Sequence, residues 1–518
     1  MLTYSVGSLI ERCGLAHGSD VAVVSGDRRI TYHEQVARIR QTGRALLELG
    51  LRKGDRVVLL MGDRPELLDV HYGILWAGLA IVPMNAKAGA ADLAFVVNDC
   101  GARAVVHEAA SADRVHVARA GTSLEFALCV DAEGVLDGGA HLGRLAAKQP
   151  DSPGLPEVHP GDRYGILYTG GANGRPKGAE HSHGTFLSAV FGGMAELGLQ
   201  EQARFAHVAP LTHVGGMFVL PTWLQGGTNV LLGRFDADRL ARTIAAERIT
   251  TTMMVPTMLY ALLDSLENGR QGVESLSTVI YGVSPMRRDR LMQAMDTFGP
   301  VLMQMNGQVE APNQVTVLRK SDHRRAMESG EVGPLSSLGR PVPLADTRLV
   351  DDTLCDVPVG EPGELVVRGP HVMRGYWNRP EETADSLRDG WLFTGDVVRV
   401  DEGGFLNFVE RKRDLIISGG FHVYAREVEA VLSAHPAVRE AAVIGVPDDR
   451  WGEAVKAVVV PEPEISVSDA ELIAWVKERK GSVLAPKTVV LVEKIPLDPK
   501  GKHDKSVLRA LYRDNRSA

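Results

Sequence analysis

Four glycines, a proline and two cations crowd the stretch Tyr168-Thr169-Gly170-Gly171-Ala172-Asn173-Gly174-Arg175-Pro176-Lys177-Gly178. A segment of that composition is expected to be neither helix nor strand interior. Glycines let backbone N–H groups close on an anion, and Lys177 adds a point charge, so the segment reads as a phosphate-cradling loop. On glycine content alone, an ordinary exposed turn explains it better. No Gly-Lys-Ser/Thr closes the loop and no G-x-G-x-x-G fits it, so neither standard nucleotide fingerprint applies. Support has to come from elsewhere in the chain.

The elements around the loop supply a frame. Tyr164–Tyr168 is an apolar run that reads as a buried strand leading into it. From Asp55, strand-like runs (Arg56–Met61, Leu79–Val82, Ala102–His107) alternate with helix-like ones (Arg64–Ala77, Ala90–Asn98). After the loop the alternation resumes with strands Thr228–Leu232, Thr250–Val255 and Thr278–Gly282, and helices Ala237–Glu247, Thr257–Leu266 and Arg287–Phe298. This pattern predicts βαβ units and a parallel sheet, an α/β fold in two doubly wound halves flanking the loop. Ligands in such sheets sit beyond the carboxyl ends of strands, where a loop after Tyr168 lies. Near Gly333 the character changes. Strand-like Asp346–Val350 and Glu364–Arg368 suggest a small β-barrel-like subdomain, and Val397–Phe408 reads as a hairpin. The charged run Glu410-Arg411-Lys412-Arg413-Asp414 reads as an exposed linker and hinge before a compact α+β stretch.

Composition narrows the function classes. At 518 residues, three to four compact units are expected. Fifty-seven Lys+Arg against 65 Asp+Glu give a formal net charge of −8, with no basic block, which argues against nucleic-acid or anionic-membrane partners. A small molecule is the expected partner. Cys13, Cys100, Cys129 and Cys355 form no C-x-x-C pair and read as free buried thiols of a reducing cytoplasm. The N-terminus does not resemble a signal peptide, and the longest apolar run, Tyr72–Met84, is too short to span a bilayer.

Read together, seven segments resemble the motifs of the adenylate-forming enzymes, which include acyl-CoA synthetases, aryl-CoA ligases and luciferases. Tyr168–Gly178 resembles their Tyr-Thr-Ser-Gly-Thr-Thr-Gly-x-Pro-Lys-Gly loop. Ala209-Pro210-Leu211-Thr212-His213 is similar to Pro-Leu-Phe-His, Gly282-Val283-Ser284-Pro285-Met286 to Gly-Gly-Ala-Pro-Leu, and Asn306-Gly307-Gln308-Val309-Glu310 to Tyr-Gly-x-Thr-Glu. Trp391-Leu392-Phe393-Thr394-Gly395-Asp396 matches Trp-x-x-Thr-Gly-Asp, Glu410–Asp414 corresponds to Asp-Arg-x-Lys-Asp, and Pro499-Lys500-Gly501-Lys502 sits where a C-terminal Gly-Lys is expected. The order is the family's and the resemblance covers essentially the whole chain.

The resemblance implies ATP-dependent conversion of a small-molecule acid to an acyl-adenylate with release of pyrophosphate, then transfer to CoA. It implies an N-terminal adenylation domain over residues 1–411 (α/β halves to about 332, β subdomain about 333–411) and a mobile α+β lid over 412–518, hinged near Arg413. Lys502 is then the cation of the adenylation transition state, and Glu310 holds Mg²⁺ against the phosphates. Thr169, Gly170, Gly171, Gly174 and Lys177 grip the ATP phosphates. Gly282, Ser284 and Pro285 border the adenine, Asn306 and Gly307 lie beside it, and Asp396 and Arg411 contact the ribose. His213 borders the acyl group and the thiol channel, and with Met217, Tyr281, Val283 and Met305 it forms the expected acid pocket. Oligomeric state, monomer or homodimer, is left open.

Departures from the family fall at the phosphate site. The family's Ser, Thr and Thr become Gly170, Ala172 and Asn173, leaving Thr169 as the loop's one hydroxyl; the stacking Tyr becomes Asn306 and the phosphate-side Thr becomes Val309. Hydrogen bonds to a charged group are worth about 1.5–3 kcal/mol each. Losing two weakens phosphate binding by roughly two to four orders of magnitude unless backbone N–H groups compensate. Three readings are therefore carried: an acid–CoA ligase; a relative that activates nitrite and forms a diazo group on an aromatic amine; and a catalytically weak nucleotide- or acyl-binding protein, against which Lys502 speaks.

Overall fold

The computed structural model describes residues 4–154, 156–169, 176–266, 272–284, 286–330, 333–463, 465–497 and 503–512. Gly170, Gly171, Gly174, Pro285 and Lys502 lie outside the described residues. The chain divides into two compact units, Met1–Thr347 with Val367–Leu392, and Arg348–Val366 with Phe393–Ala518. The length alone suggests three or four units; one large core shared by two sheets accounts for the smaller number. That core joins Val23 and Leu231 of one sheet to Val57, Leu59 and Ile81 of the other. The fold is α/β, with a large N-terminal domain and a smaller C-terminal one.

The first sheet runs, from edge to edge, Arg340–Pro341, Ala311–Leu318, Leu302–Gln308, Thr278–Gly282, Thr251–Met254, Arg204–His207, Thr228–Leu231, Val21–Ser25 and Arg28–Thr31. Its six central strands are parallel. Their continuous Val/Ile/Met/Thr runs are buried on both faces, as parallel strands under helices must be. The second sheet runs Gly375–Tyr376, Lys177–Ser182, Arg163–Thr169, Ala80–Pro83, Arg56–Leu60, Ala104–His107, Phe126–Cys129 and Ala140–His141. Both sheets add antiparallel edge strands to the expected parallel core, so each is mixed.

One edge hairpin also corrects the reading of the glycine stretch. Its two ends are strand: Thr169 pairs with Lys177 and Tyr168 with Gly178. Glycine is required at 178, where a Cβ would lie 2.4 Å from Ile166 Cγ2 and 3.2 Å from the Tyr168 ring. The stretch therefore connects two antiparallel strands, and the lysine stands on a strand end. The helix His183–Leu197 that follows starts on a capping box in which Ser182 and Thr185 exchange side-chain and backbone hydrogen bonds.

In the second unit, strands Trp391–Val400 and Leu406–Arg411 form the expected hairpin, longer than the sequence suggests because its pairing runs on to Asp396↔Arg411. A further sheet of Phe421–Tyr424, Leu415–Ser418, Gly452–Pro461 and Val438–Asp448, with Thr488–Leu491 parallel to Gly452–Pro461, completes the unit. Helices Ala425–Ser433 and Asp469–Leu484 pack one face through Val428, Leu432, Leu472 and Val476; helix Lys505–Tyr512 packs the other through Leu508. The charged run before this sheet is solvated only in part: Arg411, Lys412 and Arg413 are exposed, as expected, but Glu410 is not. Glu410 is 2% exposed and accepts from the backbone N–H groups of Arg411 (3.0 Å) and Arg426 (2.8 Å). Lys412 pairs with Glu364 at 2.9 Å and Asp414 with Arg509 at 2.7 Å. Consecutive charges look solvated in sequence because their partners lie 48 and 95 residues away.

Among the described residues no helix is long and apolar enough to cross a membrane. Cys13, Cys100 and Cys129 are buried free thiols, whereas Cys355 is exposed, against expectation, because it sits in the turn closed on the Asp351 carboxylate.

Burial in the first unit pushes His71, His181, His183, His207 and His371 from 6.5 down to about 4. The unfolded chain thus binds protons between pH 6.5 and 4 that the folded chain refuses. Stability held above pH 6.5 is lost as pH falls through that window, by up to about 1.4 kcal/mol per pH unit for each histidine. His371 is wholly buried, and among the described residues neither ring nitrogen has a hydrogen-bond partner. His371→Leu is expected to reduce the loss of unfolding free energy between pH 6.5 and 4 by about 1–3 kcal/mol. Urea titrations at stepped pH check this, and an unchanged slope contradicts it.

Candidate active site

The carboxyl ends of parallel strands gather most of the residues singled out by sequence. Beyond Arg204–His207 comes the turn that bears His213 and Met217; beyond Thr278–Gly282 come Val283 and Ser284; beyond Leu302–Gln308 comes Glu310. Gly282 and Met305 are neighbours in adjacent strands, and a Cβ at 282 would come within 2.4 Å of the Met305 carbonyl oxygen, so the strand ends are closely laid. Val283 has φ +71° and is 56% exposed. A β-branched residue held in that region is strained, and such strain gathers at binding sites. Asn306 is half-buried and Gly307 exposed at the bulge where Leu302–Gln308 turns into the next strand.

Of the expected acid pocket, Met305 is buried and Met217 packs half-buried on the main core. Tyr281 is enclosed within its strand, its hydroxyl 2.9 Å from His323 Nε2. His213 is exposed, its backbone N–H on the Pro210 carbonyl.

Sequence reasoning missed the segment that ties the hairpin bearing Lys177 to Glu310. Met373 N–H donates to the Glu310 carbonyl (2.8 Å), Arg374 N–H to Glu180 (2.9 Å) and Trp377 N–H to Gly178 (2.7 Å). Gly375–Tyr376 adds an antiparallel strand to Lys177–Ser182. The Tyr376 hydroxyl donates to Glu310 Oε1 at 2.7 Å, while Lys177 Nζ lies 4.8 Å above the Tyr376 ring and 2.7 Å from Glu382 Oε2. Lys177, Tyr376, Glu310 and Glu382 are therefore one cluster. From the other side, His181 Nε2–H donates to the Val309 carbonyl at 2.8 Å, fixing the residue before Glu310. Burial keeps that imidazole neutral, with its pKa at about 4.

Asp99, at the end of helix Ala90–Cys100, anchors the same assembly. Its carboxylate accepts from the Tyr168 hydroxyl (2.6 Å) and Arg379 Nη2 (3.0 Å), and its carbonyl from Trp377 Nε1 (3.0 Å). The available signal was Gly375-Tyr376-Trp377-Asn378-Arg379-Pro380, two aromatics between turn residues in a chain that is 5% aromatic.

In the second unit, Asp396 and Arg411 face each other across the hairpin, with Arg411 Nη1 2.7 Å from Asp396 Oδ1. Thr394 and Gly395 shape the bend. Thr394 Oγ1 donates to the Leu365 carbonyl (2.6 Å) and accepts from Asp396 N–H (3.1 Å). Gly395 adopts φ +70° with its N–H on Glu364 (3.2 Å). Asp396 is thereby buried at a strand position. Arg413 is exposed on the short helix Lys412–Asp414.

Comparison with known proteins bears on what this arrangement is for. The AMP-binding enzyme family model matches residues 10–377, and the AMP-binding enzyme C-terminal domain matches 427–502. The chain belongs to the AMP-binding, adenylate-forming enzyme family. It is 39% identical over 512 residues to medium/long-chain-fatty-acid–CoA ligase FadD8 of Mycobacterium tuberculosis (strain ATCC 25618 / H37Rv), covering 96% of this chain and 88% of that one. It is 36% identical over 493 residues to feruloyl-CoA synthase of Amycolatopsis sp, covering 95% and 96%. Among solved structures, the amide bond synthetase McbA of Marinactinospora thermotolerans superposes with a TM-score of 0.83 at 31% identity, over 98% of this chain and all of that one.

For an adenylating enzyme the donor set fits a divalent cation held jointly with nucleotide. Among the described residues no group of three or more His, Cys, Asp or Glu side chains could hold a metal. A single buried carboxylate, Glu310, suits Mg²⁺, which takes one or two carboxylates and completes its shell with phosphate oxygens and water.

Asp99→Ala leaves the Tyr168 hydroxyl without its acceptor and Arg379 with the longer Glu382 contact at 3.6 Å. It is expected to lower unfolding stability by about 2–3 kcal/mol and to raise the ATP KM more than the acid KM. Urea denaturation and steady-state kinetics check both, and unchanged kinetics would free the hairpin from this anchor.

Proposed function

We propose that this enzyme activates a carboxylic acid with ATP and passes the acyl group to CoA. The observation that carries the reading is the cluster at the phosphate hairpin, where a lysine and a buried carboxylate are held together by one phenol. Oxide is a hopeless leaving group, so the acid's oxygen must first acquire AMP. A carboxylate oxygen attacks the α-phosphorus, the bond to the departing pyrophosphate breaks, and the acyl-adenylate forms without a proton changing hands. Positioning and charge neutralisation suffice for this step. Thiol sulfur then attacks the acyl carbon and AMP leaves.

In this reading Lys177, with the neighbouring loop Thr169–Gly174, binds the phosphates, and Glu310 holds Mg²⁺, which when bound offsets phosphate charge. Gly282, Ser284, Pro285, Asn306 and Gly307 border the adenine, while Asp396 and Arg411 hold the ribose. Lys502 bridges acid and α-phosphate. His213, Met217, Tyr281, Val283 and Met305 are assigned to the acid and thiol side. Residues 412–518 form the moving domain about Arg413.

Relatives named for fatty acids and for ferulate support an apolar or aryl acid. A second acceptor class, an amine, is favoured by the likeness to an amide bond synthetase; activation of nitrite and bare ligand binding are outcomes of the same test.

ATP–pyrophosphate exchange is measured with dodecanoate, ferulate and nitrite, followed by product analysis with CoA or an amine. Exchange with a carboxylate and an acyl-CoA product are expected; exchange with nitrite alone, or none with any acid, overturns the reading. Lys502→Ala is expected to abolish exchange, by at least about 10²-fold, while ATP binding stays within about twofold. Wild-type exchange in that variant contradicts the role of Lys502.

A further inference from the structure

Tyr376 touches the two groups on which phosphate handling depends. Its hydroxyl holds Glu310 Oε1, and its ring face lies under the Lys177 ammonium. The ring is itself fixed. Tyr376 pairs with Ala179 in the added edge strand, and its N–H donates to Thr383 Oγ1 at 2.9 Å. Glu310 is 8% exposed, and the hydrogen bond from Tyr376 falls on its Oε1.

We propose that Tyr376 is a positioning residue for metal–nucleotide binding: it pins one oxygen of Glu310 so that the other is presented to the divalent cation that accompanies ATP. This rests on the reading of Glu310 as the cation's ligand. The chemistry of the donor matters. A carboxylate at the end of a flexible side chain turns freely about its last bond and loses rotamer freedom on binding a cation. A phenol fixes that rotation in advance. Being neutral, it leaves on the carboxylate the charge that the cation requires, which a lysine or arginine at the same place would cancel. Its face also attracts the Lys177 ammonium, so one side chain sets the spacing between the cationic and anionic arms of the site. Glu382, which pairs with Lys177, sits on the helix Pro380–Ser386 that follows the same segment.

The test separates the hydroxyl from the ring and uses binding in place of turnover. ATP affinity of the full chain is measured by calorimetry with excess Mg²⁺ and, separately, with EDTA, for the wild type, Tyr376→Phe, Tyr376→Leu and Glu310→Gln. Tyr376→Phe keeps the ring under Lys177. It is expected to weaken binding about tenfold with Mg²⁺ and less than about twofold without. Tyr376→Leu is expected to weaken both. Equal losses with and without Mg²⁺ in Tyr376→Phe, or no loss in either, overturn the proposal. If Glu310→Gln shows a Mg²⁺-specific loss and Tyr376→Phe does not, the role of Tyr376 alone fails. If Glu310→Gln shows none, the reading of Glu310 fails first.

Discussion

The candidate active site of the first unit depends on a short segment, Met373–Arg379, hydrogen-bonded along the strand that carries Lys177. Three backbone N–H groups of this segment reach Glu310, Glu180 and Gly178, and its side chains reach Glu310, Lys177 and Asp99. Without it, Lys177 would stand on an edge strand with a wholly open flank, and the turn bearing Glu310 would keep the His181 hydrogen bond and its own strand pairing but lose the Met373 contact. An added edge strand here does what covering an exposed edge does in any sheet, satisfying its unpaired backbone groups. It also fixes the distance between two opposite charges that must not collapse on each other.

That separation explains the charge arrangement. Lys177 is drawn to Glu382 and to the ring of Tyr376, while Glu310 is held by the neutral hydroxyl of the same ring. In the proposed reading each charge keeps a partner weaker than a polyphosphate–metal complex would be, so that nucleotide binding would exchange modest contacts for stronger ones. In the same reading, the neutral donors lost from the loop, where Gly170 and Ala172 stand for hydroxyl residues, would place more of the phosphate grip on these charges and on backbone N–H groups. In the second unit the same economy appears at Asp396, whose position is set by Thr394, Gly395 and the facing Arg411.

Much of this was legible in the sequence. Helix Ala237–Glu247 and strands Thr278–Gly282 and Asp346–Val350 fall at the expected residues, because apolar periodicity and short connections define buried strands and amphipathic helices locally. The ordered motifs pointed to the family because each carries a chemically constrained residue. What stayed hidden depends on partners distant in sequence. Tyr376 lies 66 residues from Glu310, and Asp99 lies 280 from Arg379. The run Glu410–Asp414 looked like solvated charge because nothing nearby reveals that Glu410 caps Ala425–Ser433 from a buried position. Likewise, the glycines at 170, 171 and 174 masked the strand pairing on either side of them.

The central claim is that an acid oxygen attacks the α-phosphorus of ATP. It is tested most directly with a carboxylate that supports pyrophosphate exchange, labelled with ¹⁸O in both oxygens, with the AMP formed during thioester synthesis analysed by mass spectrometry. The account predicts one ¹⁸O per AMP, carried over from the acid. AMP without label, or label found in inorganic phosphate, would contradict it.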